Sequence, residues 1–85
     1  MTQSFTGDIN TNGSWATVAS ETGLNLAAGK KFNMQIQNIA DLKIRDAVFT
    51  LKNEKFDYTT ISAPLYIRTN GNVPCILTML ETVNS

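Results

Sequence analysis

Histidine is absent from this chain of 85 residues, and cysteine occurs once, at Cys75. Without an imidazole, Ser-His-Asp and Cys-His catalysis have no general base. A tetrahedral zinc site, built mainly from histidine and thiolate ligands, loses most of its donors. A lone cysteine cannot form a disulfide within the chain. Long apolar runs are also missing, and nothing approaches the ~20 residues that a membrane-spanning helix needs. The first twelve residues carry no basic, then apolar, leader pattern. The expectation is therefore a soluble product made in a cytosol, with Cys75 a small buried hydrophobe inside an apolar strand.

Charge of one sign is lacking too. Seven Lys+Arg balance seven Asp+Glu, whereas a nucleic-acid binder projects a basic field. Lys43, Arg45, Lys52 and Lys55 do lie near Phe56 and Tyr58 in sequence. Asp41, Asp46, Glu54 and Asp57 cancel them locally, and each of these carboxylates has a Lys or Arg nearby, which suits solvated surface charge better than a glycosidase pair. No phosphate-binding loop, dinucleotide fingerprint or calcium loop occurs. The sequon Asn12-Gly13-Ser14 reads as a chance match without a secretory leader. These exclusions lead to a non-enzymatic chain with no catalytic residues, no metal, no cofactor and no small-molecule substrate. Neither nucleic acid nor membrane is expected as a partner.

Size then limits stability. A chain this short builds one small core and buries only ~60–65% of its unfolded surface. Small scaffolds gain further stability from disulfides, metals or oligomerisation. The first two are removed by composition, which leaves self-association.

What is present is alternation. In Lys31-Phe32-Asn33-Met34-Gln35-Ile36-Gln37, polar and apolar residues alternate without a break. An extended strand would put Phe32, Met34 and Ile36 on one face. A helix would scatter them. Asn38-Ile39-Ala40-Asp41 has turn chemistry. Leu42/Ile44, Phe49/Leu51, Phe56/Tyr58 and Leu65/Ile67 repeat the strand pattern, and Pro64 belongs at a strand start. Asn12-Gly13 and Asn70-Gly71 are turn signals, the second read as a hairpin. Residues 73–83 form a last strand apolar on both faces, with Ile76 and Leu80 on one and Cys75, Leu77, Met79 and Val83 on the other, hence covered on both sides. Residues 30–63 contain no Gly or Pro, so a helix over 36–53 is the competing reading. A buried Asp46 and the β-favouring run Val48-Phe49-Thr50 count against it.

The expected fold is all-β, a small antiparallel β-sandwich or barrel of about seven to eight short strands. Residues 1–12 are expected to be a flexible arm or docking strand, and 13–85 a single domain. Candidate interface residues are Trp15, the sole tryptophan and an interface-favoured type, Tyr66 and Arg68, which alternation turns away from Leu65 and Ile67, and Leu77 and Met79 of the last strand.

The order of these elements resembles small virion structural proteins of tailed bacteriophages. The resemblance rests on Trp15, then Thr22-Gly23-Leu24-Asn25-Leu26, then Phe32-x-Met34-Gln35-Ile36-Gln37-Asn38, then Leu65-Tyr66-Ile67-Arg68-Thr69-Asn70-Gly71 and an apolar strand ending at Glu81. It covers roughly residues 13–83. The stretch 46–62 lacks the Gly/Pro-rich loop of that pattern, which leaves its strand pairing open. The resemblance implies capsid decoration or a tail or fibre component, located in the virion after synthesis in a bacterial host's cytoplasm. It also implies partners among other virion proteins and copies of itself, with trimers the favoured order. A carbohydrate- or surface-recognition module for host binding, and a small phage-encoded inhibitor of a host protein, are the rival readings.

Overall fold

The computed structural model describes residues 3–82. It contains β1 (Ser4–Ile9), β2 (Ala16–Thr17), a short helix α1 (Val18–Thr22), β3 (Lys31–Ile44), β4 (Ala47–Thr59), β5 (Leu65–Thr69) and β6 (Cys75–Glu81). The six strands form one antiparallel sheet, curled into a half-barrel. The all-β expectation holds. Among the described residues there is one curled sheet and neither a closed barrel nor a second sheet, and the strands are fewer and two of them longer than alternation alone suggested.

β3 is the spine. The whole of β4 pairs along one of its edges. The other edge is shared, with β6 beside Phe32–Gln37 and β5 beside Ala40–Ile44. Asn70-Gly71 is therefore not a hairpin, because β5 and β6 pair with β3 and not with each other. The turn between them is an excursion closed by the Asn70–Val73 bridge. β1 and β2 repeat this behaviour one place further out, pairing with β6 and β5 respectively. The sheet thus reads as four long ribbons, 4–17, 65–81, 31–44 and 47–59, each interrupted near its middle.

The core lies on one face of the sheet. Phe32, Met34, Ile36, Ala40 and Leu42 of β3 are buried with Leu65, Ile67, Cys75, Leu77 and Met79, and Ile9 and Val18 belong to the same cluster. Each large member contributes roughly 1.5–3 kcal/mol of burial. The even-numbered face of β3 stays buried through most of its length, so Asn38 does not end the strand. It takes φ 71 at a bulge, opposite Asn53 at φ 50 on β4. Asparagine tolerates the left-handed region, and a bulge uses that tolerance as readily as a turn does. Residues 36–53 form no helix. Arg45-Asp46 makes a two-residue connection from β3 to β4, with Arg45 at φ 53.

The N-terminal segment is not a free arm. Residues 4–9 are β1, and Ile9 is buried. Met1 and Thr2 of the expected arm lie outside the described residues, as does Val83 of the expected last strand. β6 is covered on one face only, since Leu80 is 48% exposed. The segment after Trp15 holds only two strand residues before turning helical. Thr17 caps α1 by accepting the Ser20 N–H, and Gly23 ends it at φ 75.

Two buried threonines tie loops to the sheet. Thr60 Oγ1 donates to the Ala27 carbonyl at 2.7 Å and accepts the Lys30 N–H at 2.8 Å. Thr11 and Thr69 each accept the other's backbone N–H on a side-chain oxygen, at 2.9 and 3.1 Å. Beside them the Asn12-Gly13 and Gly71-Asn72 turns touch. A Cβ on Gly13 would lie 3.6 Å from the Gly71 Cα.

Candidate functional site

The face opposite the core gathers Trp15, Tyr66 and Arg68. Strand register explains why. β2 sets Thr17 opposite Tyr66, and Trp15, one residue before β2, falls beside Arg68. β3 sets Lys43 opposite Tyr66 and Asp41 opposite Arg68. The Arg68 guanidinium lies 4.4 Å from the centroid of the Trp15 ring. The Lys43 ammonium lies 4.9 Å from that same ring and 5.1 Å from Tyr66. These are cation–π distances.

Asp41 anchors the group. Arg68 donates to one of its oxygens from Nη2 at 2.7 Å and Nε at 3.1 Å, and the Thr50 hydroxyl donates to the other at 2.8 Å. The Arg68 hydrogen bond is the main reason the Asp41 carboxyl titrates below its usual range. Partial burial opposes this, while Thr50 and the Arg68 charge add to it. The cluster spans four ribbons and fixes each side chain through a neighbour. It offers a rigid patch of the residue types that carry protein contacts, Trp, Tyr and Arg.

Leu77 and Met79, the other two candidates, are drawn inward. Both are fully buried in the core and present no contact surface. β6 alternates buried and half-buried residues, and these two fall on the buried parity. Cys75 shares that parity, and burial pushes its thiol pKa up, so the thiolate is disfavoured. Among the described residues no cluster of His, Cys, Asp or Glu could hold a metal ion, and no helix is long and apolar enough to cross a membrane.

A second surface escaped the sequence reading. Phe49, Leu51, Phe56 and Tyr58 of β4 stand opposite Leu42, Ala40, Met34 and Phe32, on the core side of the sheet, yet the described residues cover them only in part. Phe49 is 50% exposed, and its neighbour Val48, on the other face, is 51% exposed. With Met34, Leu42 and Leu65 these side chains line an apolar groove of about 280 Å³. The signal was present in Val48-Phe49. Two adjacent large apolar residues on a strand face opposite ways, so one sheet with one core leaves Val48 uncovered, whereas the exposure of Phe49 follows from the place of β4 at the sheet edge. Asp41 and Lys43 were missed because strand register cannot be read from alternation.

No protein-family model, no curated protein and no solved structure matches the chain.

Proposed function

We propose that this protein is a non-enzymatic structural component of a bacteriophage virion. In this reading it decorates a capsid or forms part of a tail or fibre, and it acts by assembling with copies of itself and docking on other virion proteins. The observation that carries the proposal is the open side of the half-barrel, where, among the described residues, β4 has an unpaired edge and a partly uncovered apolar flank. Monomeric proteins rarely leave an apolar groove beside an unprotected strand edge unless a partner uses it. The Trp15–Arg68–Tyr66 patch supplies a second contact surface on the opposite face. The likeness of the sequence to small virion proteins supplies the setting.

The test is compositional. Mass spectrometry of purified particles from a culture carrying the gene is expected to find the chain at many copies per particle. Its absence from particles, with the chain recovered only from the soluble lysate, overturns the virion reading.

A recognition role draws support from the convergence of Trp15 and Tyr66 on one face. A sugar-stacking tryptophan presents a bare ring, however, and two cations already lie over this one. Added oligosaccharides are therefore expected to leave Trp15 fluorescence unchanged. A saturable shift would favour glycan recognition over assembly.

A further inference from the structure

We propose that the C-terminal half of β4 is a self-complementary edge, on which a second copy of the chain pairs antiparallel about a two-fold axis at Phe56. The inference rests on the assembly reading above and adds to it the partner, the edge and the register.

Among the described residues β4 is hydrogen-bonded to β3 alone. Its other side presents unpaired backbone donors and acceptors, a template for another strand. Past the kink at Asn53 the strand runs regularly. Glu54, Phe56 and Tyr58 stand opposite Ile36, Met34 and Phe32 on the core side, and Lys55 and Asp57 stand on the other. An antiparallel neighbour places residues equidistant from the axis directly opposite each other and on the same face. With the axis at Phe56, Lys55 of each copy faces Asp57 of the other, twice over. Glu54 faces Tyr58, and the two Phe56 rings meet where each apolar flank would otherwise end in water.

Neighbouring registers fail on charge or on face. Moving the axis to Lys55 sets the two lysines against each other, and moving it to Asp57 does the same with the two aspartates. A shift to Glu54 juxtaposes two glutamates and puts Lys52 opposite Phe56. Axes between residues pair the core face of one strand with the outer face of the other. The N-terminal half of β4 offers no opposite-charge register, because Lys52 is its only charged residue. Lys55 and Asp57 are both exposed. Asp57 accepts a hydrogen bond from Asn33 at 2.9 Å, which orients its carboxylate on the outer face. Lys55 has no ion pair among the described residues.

Light scattering and sedimentation across a concentration series test the pairing, using the full chain, Lys55→Asp, Asp57→Lys and the double variant. The wild type is expected to be a dimer. Each single reversal creates two like-charge pairs and is expected to weaken dimerisation roughly tenfold. The double variant restores the opposite-charge pairs and is expected to recover the wild-type affinity. Both side chains are exposed, so far-UV circular dichroism stays unchanged throughout. Amide exchange is a charge-independent check, with residues 53–59 gaining protection as concentration rises and 47–52 gaining none. A wild-type trimer, or a higher assembly indifferent to the reversals, overturns the β4 register and leaves the assembly reading standing. So does a double variant that stays as weak as the singles. A wild-type monomer at every concentration overturns both the pairing and autonomous self-assembly, while the particle composition decides the virion setting separately.

Discussion

The side-chain oxygen of Asn53 accepts the backbone N–H of Asn38 at 2.9 Å, across the one irregular step in the β3–β4 ladder, and both asparagines hold positive φ. Each makes the other's conformation tenable, because the bulge that Asn38 needs leaves its N–H in want of an acceptor. Asn53→Ala removes that acceptor and puts a residue without a local hydrogen-bonding side chain into the left-handed region, which costs about 1–2 kcal/mol. The variant is expected to lose about that much, read as a lower urea midpoint at unchanged slope. Asn38→Gly keeps the backbone conformation available and is expected to change stability far less.

The Asp41–Arg68 pair makes stability depend on acid. The Asp41 pKa is depressed in the folded protein, so its contribution is fully present above the unfolded value of about 3.9 and is lost as pH falls through the lower folded value. The pair is partly solvated, which limits the contribution to ~0.5–1 kcal/mol. Asp41→Asn is expected to cost that amount near neutral pH and to flatten the loss below about pH 4. Thermal unfolding of both proteins across an acid series provides the measurement. An unchanged acid slope in the variant would assign the dependence to other carboxylates.

Residues on the same side of the sheet are expected to differ sharply in value. Ile67 is fully buried, whereas Phe49 is half exposed. Ile67→Ala removes packed atoms and leaves a cavity, at about 2–5 kcal/mol, a large share of what holds a domain of this size. Phe49→Ser is expected to cost the isolated chain less than about 1 kcal/mol. Denaturant titrations of the two variants check the ranking.

Cys75 is fully buried, with its thiol pKa raised. An aromatic disulfide reagent at mildly alkaline pH is expected to label the native chain only at the rate of unfolding. Adding urea to the transition midpoint should bring labelling to the speed of an exposed thiol. Fast labelling in native conditions would place the thiol at the surface.

Alternation made Phe32, Met34 and Ile36 legible as one buried face, and it placed Tyr66 and Arg68 on the face opposite Leu65 and Ile67. It could not extend β3 to Ile44, because Asn38-Ile39-Ala40-Asp41 is chemically suited to both a turn and a bulge. Helix α1 was within reach of capping logic, with Thr17 before it, Glu21 in its first turn and Gly23 after it. The β-favouring Trp15-Ala16-Thr17-Val18 masked those signals. Leu77 and Met79 count as interface candidates in the sequence because both sides of the last strand are apolar, and parity alone does not say which side meets the core. The site needed one further kind of information. Asp41 and Lys43 join Trp15 only through the pairing of β3 with β5 and of β5 with β2, and each of those offsets is set in three dimensions.

The four ribbons are interrupted at the same height, by residues 10–15, 70–74, Asn38 and Asn53. The breaks line up as a crease running across the strands, and only β3 and β4 carry the chain through it as continuous strands. Sheet curvature is therefore decided at a few asparagine and glycine positions instead of being spread along the whole ladder. A single substitution on that line can re-angle one half of the sheet against the other while the pairing within each half survives. A sheet creased in this way has two halves whose mutual angle and whose internal pairing answer to different residues.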